Sequence, residues 1–205
     1  MNMKENVKIL KEKGSKSIVV MFGFVICVFM SLTQGYAANY QAISQEKSLK
    51  ISGDSSIGFL VSKFGFLSVN GVFRDFSGDL KLNGEEIVSL SGEVKIASVF
   101  TDNKKRDAHL LESDFFDAKA YPTSTFVMTK YERLEGQKDN GEIRGKVYGE
   151  LSLHGVKLPL ELSSVLNLNT STLTLTGELN VKDFGIEGSK VNSDKVELNF
   201  KTLWQ

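Results

Sequence analysis

The 205-residue chain is predicted to fold as an all-β protein, and three observations carry this prediction. Apolar and polar residues alternate with a period of two through most of the chain. Turn residues separate the alternating runs, and Asn-Gly occurs at 70–71, 83–84 and 140–141, the pair that suits two-residue hairpins. The runs are long and have one apolar face. Two architectures satisfy such strands, a sandwich of two sheets or a closed antiparallel barrel.

Strands are expected in succession from about residue 48 to the C-terminus. The alternation is clearest over 172–182, where Thr, Glu and Asn occupy the polar face. Glycines interrupt three alternating runs and are interpreted as bends of a barrel wall or as sites of close approach. These are Gly58, Gly149 and Gly177.

The N-terminal residues 1–37 have the three-part layout of a secretory signal peptide. Five lysines precede an apolar run over 18–30, and Gly35 and Ala37 supply small residues for cleavage after Ala37. The run is shorter than the roughly 18–20 residues that span a bilayer. We therefore expect export with cleavage, a retained anchor being the alternative. Residues 38–47 are expected to form a leader or edge segment, and residues 48–205 one domain.

Composition excludes several classes of function. Without residues 1–37 the chain has 20 basic and 23 acidic residues and no cysteine, so no disulfide is expected. No basic stripe with interleaved aromatics is present, so nucleic acid is not expected as a partner. Neither His109 nor His154 has a histidine or cysteine at helical spacing, and no nucleotide loop or nucleophile elbow occurs. No metal, cofactor or catalytic residue is predicted, and His154 is interpreted as a hydrogen-bonded turn residue.

A single helix is predicted over about 103–112, where the two-residue period breaks. Thr101 or Asp102 is expected to cap it, and Leu110 and Leu111 give it an apolar edge. His109 within it either packs against the helix or faces a ligand. The whole chain has fourteen phenylalanines, and their abundance fits either a packed core or a barrel that holds a ligand.

Four segments, in order over about 50–203, resemble the YceI-like family. The first and most of the second are Ile57-Gly58-Phe59, Phe64-Gly65-Phe66, Val69-Asn70-Gly71-Val72-Phe73 and Arg106-Asp107-Ala108-His109-Leu110. The rest are Asp114-Phe115-Phe116-Asp117, Tyr121-Pro122-Thr123, Leu151-Ser152-Leu153-His154-Gly155 and Val181-Lys182-Asp183-Phe184-Gly185-Ile186. One departure is Phe64, which stands where members often carry histidine after lysine.

The resemblance implies a lipocalin-like antiparallel barrel of eight strands with one helix beside it. It also implies a periplasmic, non-enzymatic protein that binds a long apolar ligand, a polyisoprenoid or fatty-acyl or fatty-amide lipid. Candidate ligand-binding residues are Phe59, Phe64, Phe66, Phe73, Phe76, Arg106, Asp107, His109, Phe115, Phe116, Tyr121 and Phe126.

Three residues, Arg106, Asp107 and His109, are candidates for contact with a ligand head group, or else they hold the helix in place. Two alternative functions remain open. One is a lipid-modifying enzyme that uses His109 with Asp107 or Asp114, and the other is a stress-related interaction module with a filled barrel. A homodimer is expected only from the prevalence of two-fold assemblies.

Overall fold

The computed structural model describes residues 46–63, 67–134, 141–188 and 192–205. The predicted signal peptide over 1–37, nearly all of the leader segment, and Phe64 and Phe66 lie outside the described residues.

Eleven strands and one α-helix make up the described chain. The first six strands are β1 (Glu46–Lys50), β2 (Ser56–Lys63), β3 (Leu67–Phe73), β4 (Phe76–Asn83), β5 (Glu86–Lys95) and β6 (Val99–Phe100). Helix α1 (Lys104–Leu110) follows, then β7 (Thr123–Arg133), β8 (Glu142–Leu153), β9 (Val156–Asn167), β10 (Thr172–Asn180) and β11 (Asn192–Leu203). Short 3-10 helices occupy Ile96–Ser98 and Val181–Phe184.

All strand pairs are antiparallel, in the order β1-β4-β5-β7-β8-β9-β10-β11-β2-β3-β6. The sheet closes on itself at both ends of this order. Strand β6 continues β5 across the 3-10 helix and pairs with β3, through Val72 with Phe100. Past β1, Ile51 bridges to Trp204, and Lys50 and Gln205 exchange backbone hydrogen bonds of 2.8 and 3.0 Å. The prediction of an all-β barrel with one short helix is confirmed.

Two details of the prediction need correction. The strand count is eleven where eight were expected, and two of the three extra strands are β1, a short addition beside β4, and β6, which the 3-10 helix separates from β5. The helix begins at Lys104, and its N-cap is Asn103, not Thr101 or Asp102. The Asn103 side chain accepts hydrogen bonds from the Lys105 and Arg106 amides, both at 3.1 Å, which satisfies two amides that a helix start leaves without partners.

Inward side chains fill one half of the barrel, toward the end where β8 begins and β9 ends. We call this the filled half; it contains Leu49, Leu80, Leu82, Ile87, Ile143, Val147, Leu166 and Leu173, all at most 7% exposed. The other half holds the cavity described below and is called the open half. No helix among the described residues has the length and hydropathy needed to cross a bilayer.

Candidate functional site

A cavity of about 610 Å³ occupies the open half of the barrel and is lined mainly by apolar side chains. This volume lies within the range of about 300–1,000 Å³ that small-molecule sites occupy in proteins. Its wall includes Ile57, Phe59, Val61, Phe73, Val94, Phe126, Leu151, Leu179, Val196 and Phe200. Every major strand contributes, because inward positions recur at every second residue.

Glycine opposite phenylalanine shapes this wall. The Phe59 ring lies across Gly71, its partner on β3, where a Cβ would come within 2.1 Å of the ring. The Phe126 ring lies across Gly149 on β8, where a Cβ would come within 2.4 Å of the ring and 2.5 Å of the Val127 carbonyl oxygen. Both rings can therefore lie flat against a neighbouring strand. The cavity is open because these side chains cover the wall and do not cross the barrel.

A segment over residues 101–121, here called the cap, lines the cavity at its open end through α1 and the residues after it. Phe116 packs against a second apolar cluster made of Ile96, Leu153, Phe184 and Ile186. The Phe73 ring lies 5.7 Å from Phe59 and 5.9 Å from Phe116, so aromatic contacts run from the barrel wall into the cap. This packing fixes the cap at the cavity entrance.

Arg106 and Asp107 both bind Thr101, which is 5% exposed. Arg106 donates from Nε to Thr101 Oγ1 at 2.7 Å and from Nη2 to the Thr101 carbonyl at 2.6 Å. Asp107 Oδ1 accepts from the Thr101 amide at 2.8 Å and from its hydroxyl. These bonds join the first turn of α1 to the chain that enters it, so both side chains have a defined role in holding the cap.

His109 has different contacts and lies at the rim. Its Nε2 is 2.9 Å from Asp114 Oδ2, and its ring meets the Phe115 ring edge-on at a centroid distance of 4.8 Å. The side chains of His109 and Asp114 are 60% and 46% exposed. His109, Phe115 and Lys105 all line the cavity entrance, which gives this rim two ionisable side chains at the end of a mainly apolar cavity.

Tyr121 and His154 form a separate contact outside the cavity lining. Their rings lie 4.6 Å apart, and Tyr121 also covers Gly155. His154 and Gly155 have φ angles of 51° and 77° and form the two-residue turn between β8 and β9. His154 Nδ1 donates to the Phe184 carbonyl at 3.0 Å, as predicted for a hydrogen-bonded turn histidine.

The structure brings eight of the twelve candidate residues to the cavity. They are Phe59, Phe73, Phe76, Arg106, His109, Phe115, Phe116 and Phe126. Asp107 and Tyr121 lie elsewhere, as described above, and Phe64 and Phe66 are outside the described residues. Sequence reasoning missed the bottom of the cavity, formed by Leu90, Leu162, Leu175, Leu198 and Trp204. Alternation indicates that such residues face inward, but it does not separate a cavity wall from a filled core.

Two buried hydroxyls lie below the cavity in the filled half. Tyr131 reaches across Gly145 toward Ser164, and neither hydroxyl meets hydrogen-bond geometry with any described residue. Burial raises the pKa of Tyr131, and the nearby Ser164 hydroxyl opposes that shift. Neither residue lines the cavity.

Charged residues outside the barrel pair with one another along β7, β8 and β9. Hydrogen bonds from Lys130 and then from Tyr148 hold the pKa of Glu132 below its usual range, and the bond to Glu161 raises the pKa of Lys146. None of these residues lines the cavity. Among the described residues no three His, Cys, Asp or Glu side chains are grouped as metal ligands.

Fold and cavity together define the class: a closed antiparallel β-barrel, capped by one helix, around an apolar internal cavity. The chain belongs to the YceI-like domain family, whose model matches residues 51–203. Among curated relatives, a UPF0312 protein of Pseudomonas savastanoi pv. phaseolicola is 30% identical over 180 residues, which are 83% of this chain and 88% of the relative. A UPF0312 protein of Pseudomonas putida (strain W619) is 29% identical over 170 residues, 78% and 85% of the two chains.

Solved structures share the fold. The Campylobacter jejuni YCEI protein is 33% identical, with a TM-score of 0.57 over 67% of this chain and 84% of its own. Burkholderia cenocepacia BcnA is 20% identical, with a TM-score of 0.66 over 74% and 98%. A polyisoprenoid binding domain from Saccharophagus degradans, implicated in plant cell wall breakdown, is 16% identical, with a TM-score of 0.60 over 78% and 99%. The last two show the fold alone.

Proposed function

We propose that this protein binds a long apolar ligand, an isoprenoid or fatty-acyl lipid, inside the barrel. The observation that carries the proposal is the cavity of about 610 Å³ with its apolar wall. An apolar chain transferred from water to such a wall gains about 25 cal/mol per Å² of buried apolar surface. The polyisoprenoid binding domain that shares the fold supports the same ligand class.

The polar end of the ligand is proposed to lie at the cap. Lys105 and His109 line the entrance, while the wall toward the bottom is mainly apolar. Arg106 and Asp107 serve this arrangement indirectly, since their bonds go to Thr101 and hold the cap. The apolar run over 18–30 and the small residues before Ala38 support export to the periplasm as the place of action.

Titration with a fluorescent fatty acid, displaced by unlabelled lipids, tests the proposal. Val196 lines the open half and is 8% exposed, so Val196→Trp would place an indole in the ligand's volume. We expect affinity to fall at least about tenfold, which is about 1.4 kcal/mol. Glu197→Trp is the matched control, because its side chain is on the exposed face of the same strand. Equal affinity in the two variants, or no binding by the wild type, would refute the proposal.

A second candidate function, lipid modification, rests on the His109–Asp114 pair at the rim. The pair is more than 40% exposed on both sides, and a pair that performs proton transfer usually lies in a drier setting. His109→Ala discriminates between the two functions. Retained lipid binding without any change in lipid turnover supports binding alone, whereas a turnover that the wild type has and the variant lacks supports the enzyme.

A further inference from the structure

The cavity ends at a defined level on three strands, which forms its bottom. On β10, Leu175 lines the cavity and Leu173, two residues further along the same face, does not. On β5, Leu90 lines it and Ile87 does not. On β9, Leu162 lines it, whereas Ser164 is 2% exposed and lies in the filled half. Trp204 completes this level from the strand end that closes the barrel.

Side chains at this level pack against the residues of the filled half. Leu90, Leu162, Leu175 and Trp204 are at most 5% exposed and belong to the same packed cluster as Leu80, Val147 and Leu173, which are at most 1% exposed. Packed interiors yield little to an added methylene, because overpacking displaces side chains from their preferred rotamers. A ligand chain that reaches this level therefore meets a stop.

Two estimates give the length of chain that fits above the stop. The volume of about 610 Å³ holds about 20 non-hydrogen atoms at about 30 Å³ each, the share of a molecule in liquid water. Along β11 and the residue after it, the apolar side chains of the lining run from Val196 to Trp204, and Ser193 and Asp194 continue the lining toward the entrance. The apolar part covers eight residue steps of about 3.3 Å, or about 20 Å along the barrel axis for strands tilted by about 40°. An extended chain advances about 1.2 Å per atom, as a polypeptide does, so about 17 chain atoms span this depth.

We propose that Leu90, Leu162, Leu175 and Trp204 form a chain-length stop that selects a single ligand chain of about 16–20 carbons. The inference rests on the proposed lipid binding and adds its length limit. Palmitoyl, stearoyl and geranylgeranyl chains fit entirely above the stop. A longer polyprenol leaves its remaining units outside the cap, where they gain no buried surface from this cavity.

Two homologous series test the length limit, saturated fatty acids from caprylic to behenic acid and isoprenoid alcohols from geraniol to solanesol. Each displaces the same fluorescent fatty acid. In the wild type we expect affinity to rise about fourfold for each added carbon, since a buried methylene contributes about 0.8 kcal/mol, and then to level off near 16–20 carbons. The two series also distinguish acyl from isoprenoid ligands, since the series that binds more tightly at equal length identifies the source.

Leu175→Ala and Leu173→Ala form the matched pair. The substitution, the strand and the face are the same, and only Leu175 lines the cavity. We expect Leu175→Ala to move the plateau to longer chains by about two to four carbons, because the substitution removes three side-chain carbons and leaves their volume to the ligand. Leu173→Ala should lower thermal stability and leave the plateau where the wild type has it. Circular dichroism and melting curves establish that both variants fold.

The possible outcomes distinguish a failure of the length limit from a failure of the proposed lipid binding. Wild-type affinity that keeps rising through behenic acid and solanesol would overturn the length limit while leaving lipid binding intact. The same holds if Leu175→Ala and Leu173→Ala share the wild-type plateau. Should Leu175→Ala fail to fold, Leu175→Met retains the volume and Leu175→Phe should shorten the plateau, so the stop remains testable. If no chain of any length binds the wild type, the proposed function itself fails.

Discussion

Inward and outward residues alternate along the strands in both halves of the barrel, but the filled half has a packed interior and the open half contains the cavity. In the filled half, leucine, isoleucine and valine form one packed cluster, in which Leu80, Val147 and Leu173 are at most 1% exposed. In the open half the inward residues are larger on average, and yet a cavity of about 610 Å³ remains. Gly71 and Gly149 contribute to this space, because they let Phe59 and Phe126 lie along the wall, although the filled half also has one such pair, Tyr131 across Gly145.

Residue size alone is therefore a poor guide to the presence of a cavity. An aromatic ring opposite glycine can cover the neighbouring backbone, as the Phe59 ring does at Gly71. This glycine–aromatic pairing also shields backbone that glycine leaves bare, which supports the strand it crosses.

The largest effect we expect is on stability in the filled half. Leu173 is fully buried, so Leu173→Ala leaves an enclosed void and should lower the free energy of unfolding by about 2–5 kcal/mol. Phe200→Ala in the open half removes a larger side chain but enlarges a space that already exists. It should cost clearly less, about 1–2 kcal/mol. Urea unfolding of both variants measures the difference, and an equal or larger loss for Phe200→Ala would mean that the open half is packed like the filled half.

An intermediate effect is expected where the open half depends on glycine. In Gly71→Ala the three atoms nearest to the new methyl group all belong to the Phe59 ring, so the ring must turn into the cavity. We expect stability to fall by about 1–3 kcal/mol and lipid affinity to fall with it. Phe59→Leu should restore most of both losses in the double variant, because the two sites are coupled.

Gly149→Ala is the contrasting change, since its methyl group meets the Val127 carbonyl as well as Phe126. Backbone cannot turn aside as a side chain can, so Phe126→Leu should rescue it poorly. If both glycine variants are rescued equally, or neither is, the rings do not shape the cavity as described. Thermal melts and the displacement titration provide the two measurements.

The sequence predicted much of this architecture and little of its interior. Strict alternation over 172–182 is enough to place Leu173 and Leu175 on one face of a strand, and the structure has both facing inward. Whether Leu173 or Leu175 borders a cavity depends on residues of other strands, and the two-residue period of one strand gives no information about those residues. The same limit applies to Gly149. The sequence indicates that another group approaches this glycine closely, but it does not identify that group as Phe126.

For a similar reason, the sequence does not determine which groups the side chains of the cap contact. Arg106, Asp107 and His109 were equal candidates for a head-group contact or for holding the helix. The hydrogen bonds of Arg106 and Asp107 go to Thr101, whereas His109 pairs with Asp114 at the rim. Sequence spacing shows that these residues share a helical turn, but not which of them faces the segment before it.

The smallest effect concerns Tyr131 in the filled half, whose buried hydroxyl has no partner among the described residues. Removing an unsatisfied polar group relieves its desolvation penalty, so Tyr131→Phe should leave the free energy of unfolding unchanged or raise it by up to about 1 kcal/mol. Tyr148→Phe is the control, because that hydroxyl donates to Glu132 Oε2 at 2.9 Å on the outer surface, and it should be slightly destabilising.

Alkaline pH gives Tyr131 a second readout. Burial raises the pKa of its hydroxyl in the folded state, so the native protein keeps this proton after the unfolded chain has lost it. The stability linked to Tyr131 is complete below the unfolded pKa of about 10 and is lost as pH rises from there through the higher native value. Tyr131→Phe should flatten this alkaline decline in the urea midpoint. Destabilisation of the variant at neutral pH would mean that the hydroxyl is hydrogen-bonded in the native barrel. A decline as steep as that of the wild type would mean that the native barrel does not raise the pKa of Tyr131.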